Sequence, residues 1–320
     1  MSNPVVNALL PVVILILIGF AAVRSGWLKC SAIMDISNLA FLILGPALFF
    51  RSMAQVHLNE LDFKPVLVYF LAIWVVFFAT MFTQGVNRRG AIMALSATFS
   101  NIAMIGVPLV NFTWGQEGLI VLFTLMSVHT LIMLTMVTSL IEFSISKELT
   151  AGNAALRTGR LRSFFRTFGV SMRKTLLHPV PLPVICGILF GLTGLTIPTP
   201  VDNALILLGH AFSPVALILV GMTLATSKSI SRWRVPFMMA LAKNCFHPAA
   251  LLIMGLLSNL SGLSLKVMMI TAALPIGANV YLFAHRYKVA QEEVTAAVAL
   301  SALLGLITLP AVLLLLSYMG

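Results

Sequence analysis

Ten stretches of predominantly apolar residues follow one another along this 320-residue chain, near 5–24, 35–56, 65–85, 91–112, 118–142, 179–197, 203–226, 235–258, 264–284 and 294–318. An α-helix needs about 20 such residues to cross a hydrocarbon core of about 30 Å. Composition excludes the soluble alternative. Only 9% of residues are charged, 60% are hydrophobic and the mean hydropathy is +1.04, whereas a soluble globular domain carries about 25% charged residues. So few charges cannot cover a water-facing surface, but in lipid the surface itself must be apolar. The predicted fold class is an all-α membrane protein with ten transmembrane helices.

The charges give an orientation. The net charge is +11, which in a soluble protein would suggest nucleic acid; in a membrane protein basic residues collect in cytoplasmic loops, so no nucleic-acid partner is expected. With the N-terminus outside, the inside connections hold Arg24, Lys29, Arg88, Arg89, Lys228, Arg232, Arg234, Arg286 and Lys288. They also hold Lys147, Arg157, Arg160, Arg162, Arg166, Arg173 and Lys174, making sixteen of the twenty basic residues. Outside connections hold Arg51 and Lys64, while Lys266 sits at the edge of the ninth span and Lys243 within the eighth. This asymmetry predicts a multi-pass protein of the cell inner (plasma) membrane with both termini outside the cytoplasm. The first apolar run has no Lys or Arg before it and exceeds a signal-peptide core, so it reads as the first helix. Cys30, Cys186 and Cys245 show no paired or metal-ligand spacing. Cys186 and Cys245, inside apolar runs, are expected to be small core residues. No metal or cofactor is expected.

Residues 143–178 form the one sizeable polar stretch. It reads as a basic cytoplasmic linker held near anionic headgroups, with nucleotide or partner binding as the alternative. It separates a first five-helix unit, 1–142, from a second, 179–320. Pro11, Gly19 and Pro46 recur as Pro179, Gly187 and Pro214 at an offset of 168 residues, and Pro108 recurs as Pro275 at 167. Five spans per half is an odd number, so the second half must insert in the opposite sense. The expected plan is the two inverted repeats of many secondary transporters.

The fourth span reads SATFSNIAMIGVPLVNFTWG and the ninth ITAALPIGANVYLFAHRY. Proline removes a backbone donor and disrupts the preceding turn. Backbone groups freed at mid-membrane depth persist only where protein buries them or a cavity solvates them. One such span reads as a simple kink. Two at equivalent positions of inverted halves can cross near the midplane, where half-helix N-termini present free amides and positive dipole ends to an anion. The candidate substrate-binding residues are Asn101, Gly106, Pro108, Asn111, Pro275, Gly277, Asn279 and Tyr281, with Lys243. The asparagines add donors and acceptors beside the breaks, and they also suit the unwound backbone itself.

The nine acidic residues, Asp35, Glu60, Asp62, Glu117, Glu142, Glu148, Asp202, Glu292 and Glu293, all lie in loops or near span ends. None is expected at mid-membrane depth, where a sodium/proton antiporter holds carboxylates for its ion. Coupling to protons or sodium through neutral ligands stays open. Lys243, in the run LAKNCFHPAALL, has two readings. It holds an anionic substrate or offsets half-helix C-terminal dipoles at the crossing, or it sits shallow and snorkels to an interface. His129 and His247 are candidate proton-linked residues, against the plainer reading of buried neutral histidines with local hydrogen bonds.

The segments LLPVVILILIGFAAVRSGWL, LGPALFF, SNIAMIGVPLV with GQEGL, HPVPLPVICGILFGL, FSPVALILVGMTL and LPIGANVYLFAHRY span nearly the whole chain. In them the sequence resembles the auxin efflux carrier family of bacterial permeases, relatives of the plant PIN auxin carriers and of permeases named as malonate transporters. The fourth- and ninth-span motifs are the specific part. The resemblance implies a ten-helix fold like that of bile-acid symporters and sodium/proton antiporters. In that fold spans four and nine cross at the substrate site, and an elevator-like movement exposes the site alternately to each side. The expected function is a secondary transporter for a small organic anion of the carboxylate class, malonate-like or auxin-like. Its expected partners are that anion and membrane lipid, with a homodimer allowed. The alternatives are an intramembrane enzyme acting on a lipid-linked group, which would need metal-binding carboxylates or an acid/base pair, and a membrane sensor or channel.

Overall fold

The structure, a computed structural model, describes residues 4–55, 64–149, 179–226, 233–277 and 279–318, with Gly169, Arg173, Leu176 and Leu177 between them. Most of the basic linker at 143–178 lies outside the described residues, as do Lys228 and Arg232.

Among the described residues the regular structure is helical apart from one isolated antiparallel bridge. We number the helices α1 (Pro4–Arg24), α2 (Ala32–Ala54), α3 (Lys64–Gln84) and α4 (Arg88–Thr98). The run that follows, 102–149, is broken at Gly115, whose φ of 57° and ψ of −144° are not helical, into α5 (102–114) and α6 (116–149). Then come α7 (Pro181–Leu192), α8 (Thr199–Ala225), α9 (Arg234–Leu257), α10 (Gly262–Ala273), α11 (Asn279–Tyr287) and α12 (Gln291–Tyr318).

Among the described residues six runs are long and apolar enough to cross a membrane: Ala32–Ala54, Lys64–Gln84, Ile102–Ile145 (with its break at Gly115), Thr199–Ala225, Arg234–Leu257 and Gln291–Tyr318. The first apolar run appears as α1, Pro4–Arg24, and the sixth as the shorter helix Pro181–Leu192. The fourth and ninth are each split by a break.

Proline chemistry shapes three of these helices. Wide π turns at Ala40–Leu44, Ile102–Gly106 and Ala242–Phe246 each end just before Gly45-Pro46, Val107-Pro108 and His247-Pro248. A proline nitrogen donates no hydrogen bond and its ring crowds the carbonyl four residues back; a locally wider turn relieves both.

Packing sorts the helices into two groups. α1 lies along α8, and α2 packs on α7 and α8; α3, α4, α9, α10 and α12 pack on one another, with α6 bordering both groups. Small residues set the closest approaches. Gly19 of α1 rests on the Ile218 carbonyl, Gly221 of α8 on the Ile16 carbonyl, and Gly187 of α7 on the Phe50 carbonyl of α2. Without a hydrophobic drive between helices in lipid, such backbone-to-backbone contact supplies much of the association. A Cβ at Gly221 would also stand 2.8 Å from the Phe20 nitrogen. No rotamer relieves that clash, so Gly221→Ala is expected to push α1 from α8 and cost about 1–3 kcal/mol, read as a lower melting temperature in detergent.

Two ion pairs among the described residues fall within the groups. Arg51 of α2 donates to both oxygens of Asp202 on α8, at 2.6 and 3.0 Å. Arg89 of α4 pairs with Glu293 of α12 at 3.0 Å. Aromatic contacts join α2 to its neighbours: Phe49 meets Phe212 of α8, within the first group, at 5.5 Å between ring centroids, and Phe123 of α6, the bordering helix, at 5.1 Å.

One expectation is corrected here. Cys186 and Cys245 are exposed rather than in the core. Lipid tails are as apolar as a protein interior, so a residue in an apolar run carries no local mark of which way it faces.

Candidate functional site

The site begins where two helices stop. α4 starts at Asn87, whose side chain accepts from the Gly90 amide at 3.0 Å, and ends at Thr98, after which Phe99 is extended with a ψ of 110°. α10 ends at Ala273, and Leu274 turns to a ψ of 148°, the conformation imposed on a residue preceding proline. The two extended stretches meet as an antiparallel bridge between Ser100 and Ile276. The Asn101 amide donates to the Pro275 carbonyl at 2.9 Å, and the Gly277 amide donates to the Phe99 carbonyl at 2.8 Å. Each break thus satisfies backbone groups that the other has freed, as burial requires.

Glycine permits this approach. A Cβ on Gly277 would lie 2.8 Å from Phe99 Cδ1 and 2.9 Å from the Ser100 carbonyl oxygen, and one on Gly106 would lie 2.7 Å from Leu274 Cδ1. On the far side Gly305 of α12 lets Pro275 seat against that helix. There the Ile276 amide donates to Ser301 Oγ at 2.9 Å, and Ser301 Oγ donates to Asn244 Oδ1 at 2.5 Å. Asn244 Nδ2 donates in turn to the Ser301 carbonyl at 3.0 Å and to Thr308 Oγ1 at 3.3 Å. This network ties the second break to α9 and α12.

Lys243 stands beneath the same break. It is 0% exposed, and its Nζ donates to the carbonyls of Ala272 at 2.5 Å and Leu274 at 2.8 Å. The Ala272 carbonyl is in the last turn of α10, the negative end of its dipole, and Leu274 is the residue that follows the helix. The side chain does not snorkel to an interface.

The first break is backed by Tyr69 of α3, buried, with its hydroxyl 3.5 Å from Ser100 Oγ. His129 of α6 and His247 of α9, both buried, flank the Tyr69 ring at 5.8 and 5.6 Å between centroids. Phe99 lies 4.8 Å from the His129 ring and Phe70 lies 6.3 Å from it. The histidines make no local hydrogen bond: all four ring nitrogens are buried without a partner among the described residues.

The remaining candidates divide. Asn101 is half-buried, its carbonyl accepts the Ile105 and Gly106 amides, and its side chain makes no capping bond. Pro108 is buried, and Asn111 is half-buried within α5. Asn279, also half-buried, opens α11. Tyr281 is 41% exposed and stacks on His285 one turn later. It lies about 200° round the helix from Asn279 at 3.6 residues per turn, which keeps it out of the buried cluster. Among the described residues no three His, Cys, Asp or Glu side chains stand close enough to share a metal ion.

A family model described as membrane transport protein matches residues 4–313, nearly the whole chain. The chain belongs to the auxin efflux carrier family of membrane transport proteins. It is 23% identical to "Auxin efflux carrier component 8" of Arabidopsis thaliana, with 95% of each chain covered. It is 24% identical to "Uncharacterized transporter YfdV" of Escherichia coli (strain K12), again with 95% of each covered. With "Putative malonate transporter" of Rhizobium meliloti (strain 1021) it shares 22% identity over 97% of this chain and 95% of the relative. The protein is therefore a multi-pass membrane transporter.

Sequence reasoning missed four residues that build the transporter's crossing: Tyr69, Ser100, Asn244 and Ser301. Asn244 and Ser301 had a usable signal, since each is a polar side chain inside an apolar run and must find a partner there. Tyr69 had none, being one aromatic among many in α3.

Proposed function

We propose that this transporter is a secondary carrier for a small organic anion of the carboxylate class, moved across the cell membrane by alternating access. The observation that carries this is the crossing of the two breaks. α5 and α11 both start beside it, at Asn101 and Asn279, and helix N-termini offer free amides and positive dipole ends to an anion. Asn101, Asn111 and Asn279 supply side-chain contacts to the anion. Lys243 cancels the opposing C-terminal dipole of α10, leaving the net field positive. The names of relatives, an auxin carrier and a malonate transporter, suit organic acids.

Ten crossings in two inverted halves fit the packing. Gly19 and Gly187, 168 residues apart, make exchanged contacts: Gly19 seats α1 on α8, and Gly187 seats α7 on α2. A two-fold axis in the membrane plane produces that exchange. The group of α3, α4 and α9–α12 carries the site and slides against α1, α2, α7 and α8, with both termini outside the cytoplasm and the basic linker on anionic headgroups inside.

Counterflow in proteoliposomes with a panel of labelled carboxylates tests the reading, because a carrier exchanges its solute unchanged. Asn101→Ala and Asn279→Ala are each expected to raise KM about tenfold, the loss of one hydrogen bond to a charged group, with correctly inserted protein. Exchange restricted to cations or neutral solutes would defeat the anion assignment.

A further inference from the structure

Behind the first break stands a set of groups that anion binding at helix ends leaves unused. His129, Tyr69 and His247 come from three helices, α6, α3 and α9, and all are fully buried. A neutral imidazole carries one N–H donor and one lone pair, and buried polar groups are normally paired. Here the four ring nitrogens have no partner among the described residues, and Phe99 and Phe70 wall the His129 ring. Two histidines held this way weaken the apolar packing unless they bind something.

The charged and titratable groups that face the pair, among the described residues, are Lys243 of α9, Tyr69 of α3 and the histidines themselves. α4 contributes the Phe99 ring to His129 and the Ser100 hydroxyl to Tyr69. A basic amine is present and no facing carboxylate balances it. A monoanion at the crossing therefore meets one balancing charge. A dianion brings a second negative charge into a low-dielectric site, where unbalanced charge is strongly disfavoured, and the nearest uncommitted proton acceptors are the imidazoles.

We propose that His129 and His247 form a proton-binding pair that takes up one proton from bulk water for the second negative charge of a dicarboxylate, so that the proton and the dianion cross together. The proton bonds to the lone pair of one ring nitrogen and is released when the dianion leaves on the other side; no other bond changes. The inference rests on the anion reading of the crossing.

Malonate and propionate test it, as dicarboxylate and monocarboxylate of equal carbon number. Each is added to purified transporter in weakly buffered solution, at a pH where both are fully ionised, with a pH dye reporting protons and calorimetry reporting bound ligand. Malonate is expected to draw one proton more per bound molecule than propionate. The double variant His129→Gln/His247→Gln, shown folded by circular dichroism and a monodisperse elution profile, is expected to lose that extra proton. If the double variant does not fold, the single variants carry the test, and at least one must take up less. Equal proton uptake for both ligands in the unaltered transporter overturns the histidine assignment and leaves the anion reading standing. An extra proton that persists in the folded variants also overturns it. Failure of both carboxylates to bind overturns the anion reading and this inference with it.

Discussion

Lys243→Met is expected to abolish transport and to lower stability by about 2–4 kcal/mol, the scale of a lost pair of charge-assisted hydrogen bonds with their acceptors left buried. Methionine keeps most of the lysine stem, so the packing around α9 changes little and the loss reports the amine. The carbonyls of Ala272 and Leu274 would then have no donor. α10 stops at Ala273, and the proline that follows Leu274 brings no N–H. The negative end of the α10 dipole would also stand uncompensated at the crossing, against an incoming anion. The check is a melting temperature in detergent together with counterflow in proteoliposomes. Normal exchange with an unchanged melting temperature would show that the amine neither caps α10 nor serves the substrate.

The second large effect is expected at Gly277. A valine there sets its Cβ against the Phe99 ring edge and the Ser100 carbonyl oxygen, at 2.8 and 2.9 Å. The ring can turn, but the carbonyl belongs to the bridge itself. The segments must separate, and the Gly277 and Asn101 amides lose the Phe99 and Pro275 carbonyls. Overpacking of this kind costs about 1–3 kcal/mol, and each lost backbone bond adds about 1 kcal/mol. Transport is expected to fall at least about a hundredfold, on the rule that about 1.4 kcal/mol is tenfold, while helix content by circular dichroism holds. Gly277→Ala should lie between. A valine variant that transports at the normal rate would mean that the crossing need not close.

Much of the candidate site was legible before the structure, and the reason is local. Pro275 acts on its own turn, so the interruption of the ninth run follows from the chain itself. Pro108 accounts for the wide turn Ile102–Gly106, while the fourth run breaks earlier, at Phe99–Asn101, against the opposite segment. Asn279 stands just after the second interruption and Asn101 at the first. The partner of Lys243 was legible only as a kind of group, a half-helix C-terminus. That it is Ala272 and Leu274, about thirty positions along the chain, depends on how α9 and α10 pack.

By itself the sequence determined that the chain is helical and membrane-borne, because an apolar run of membrane length must satisfy its own backbone. It also determined that the fourth and ninth runs are interrupted, the ninth at Pro275, and the family to which the chain belongs; the fourth breaks at Phe99–Asn101 rather than at Pro108. Only the tertiary structure decided which side of each helix faces inward. It turned Cys186, Cys245 and Tyr281 outward and brought Tyr69, Asn244 and Ser301 to the crossing. In a soluble protein the contrast between polar and apolar faces announces that choice. In lipid both faces are apolar, so the choice falls to small residues that let backbones touch and to buried polar groups that must find one another.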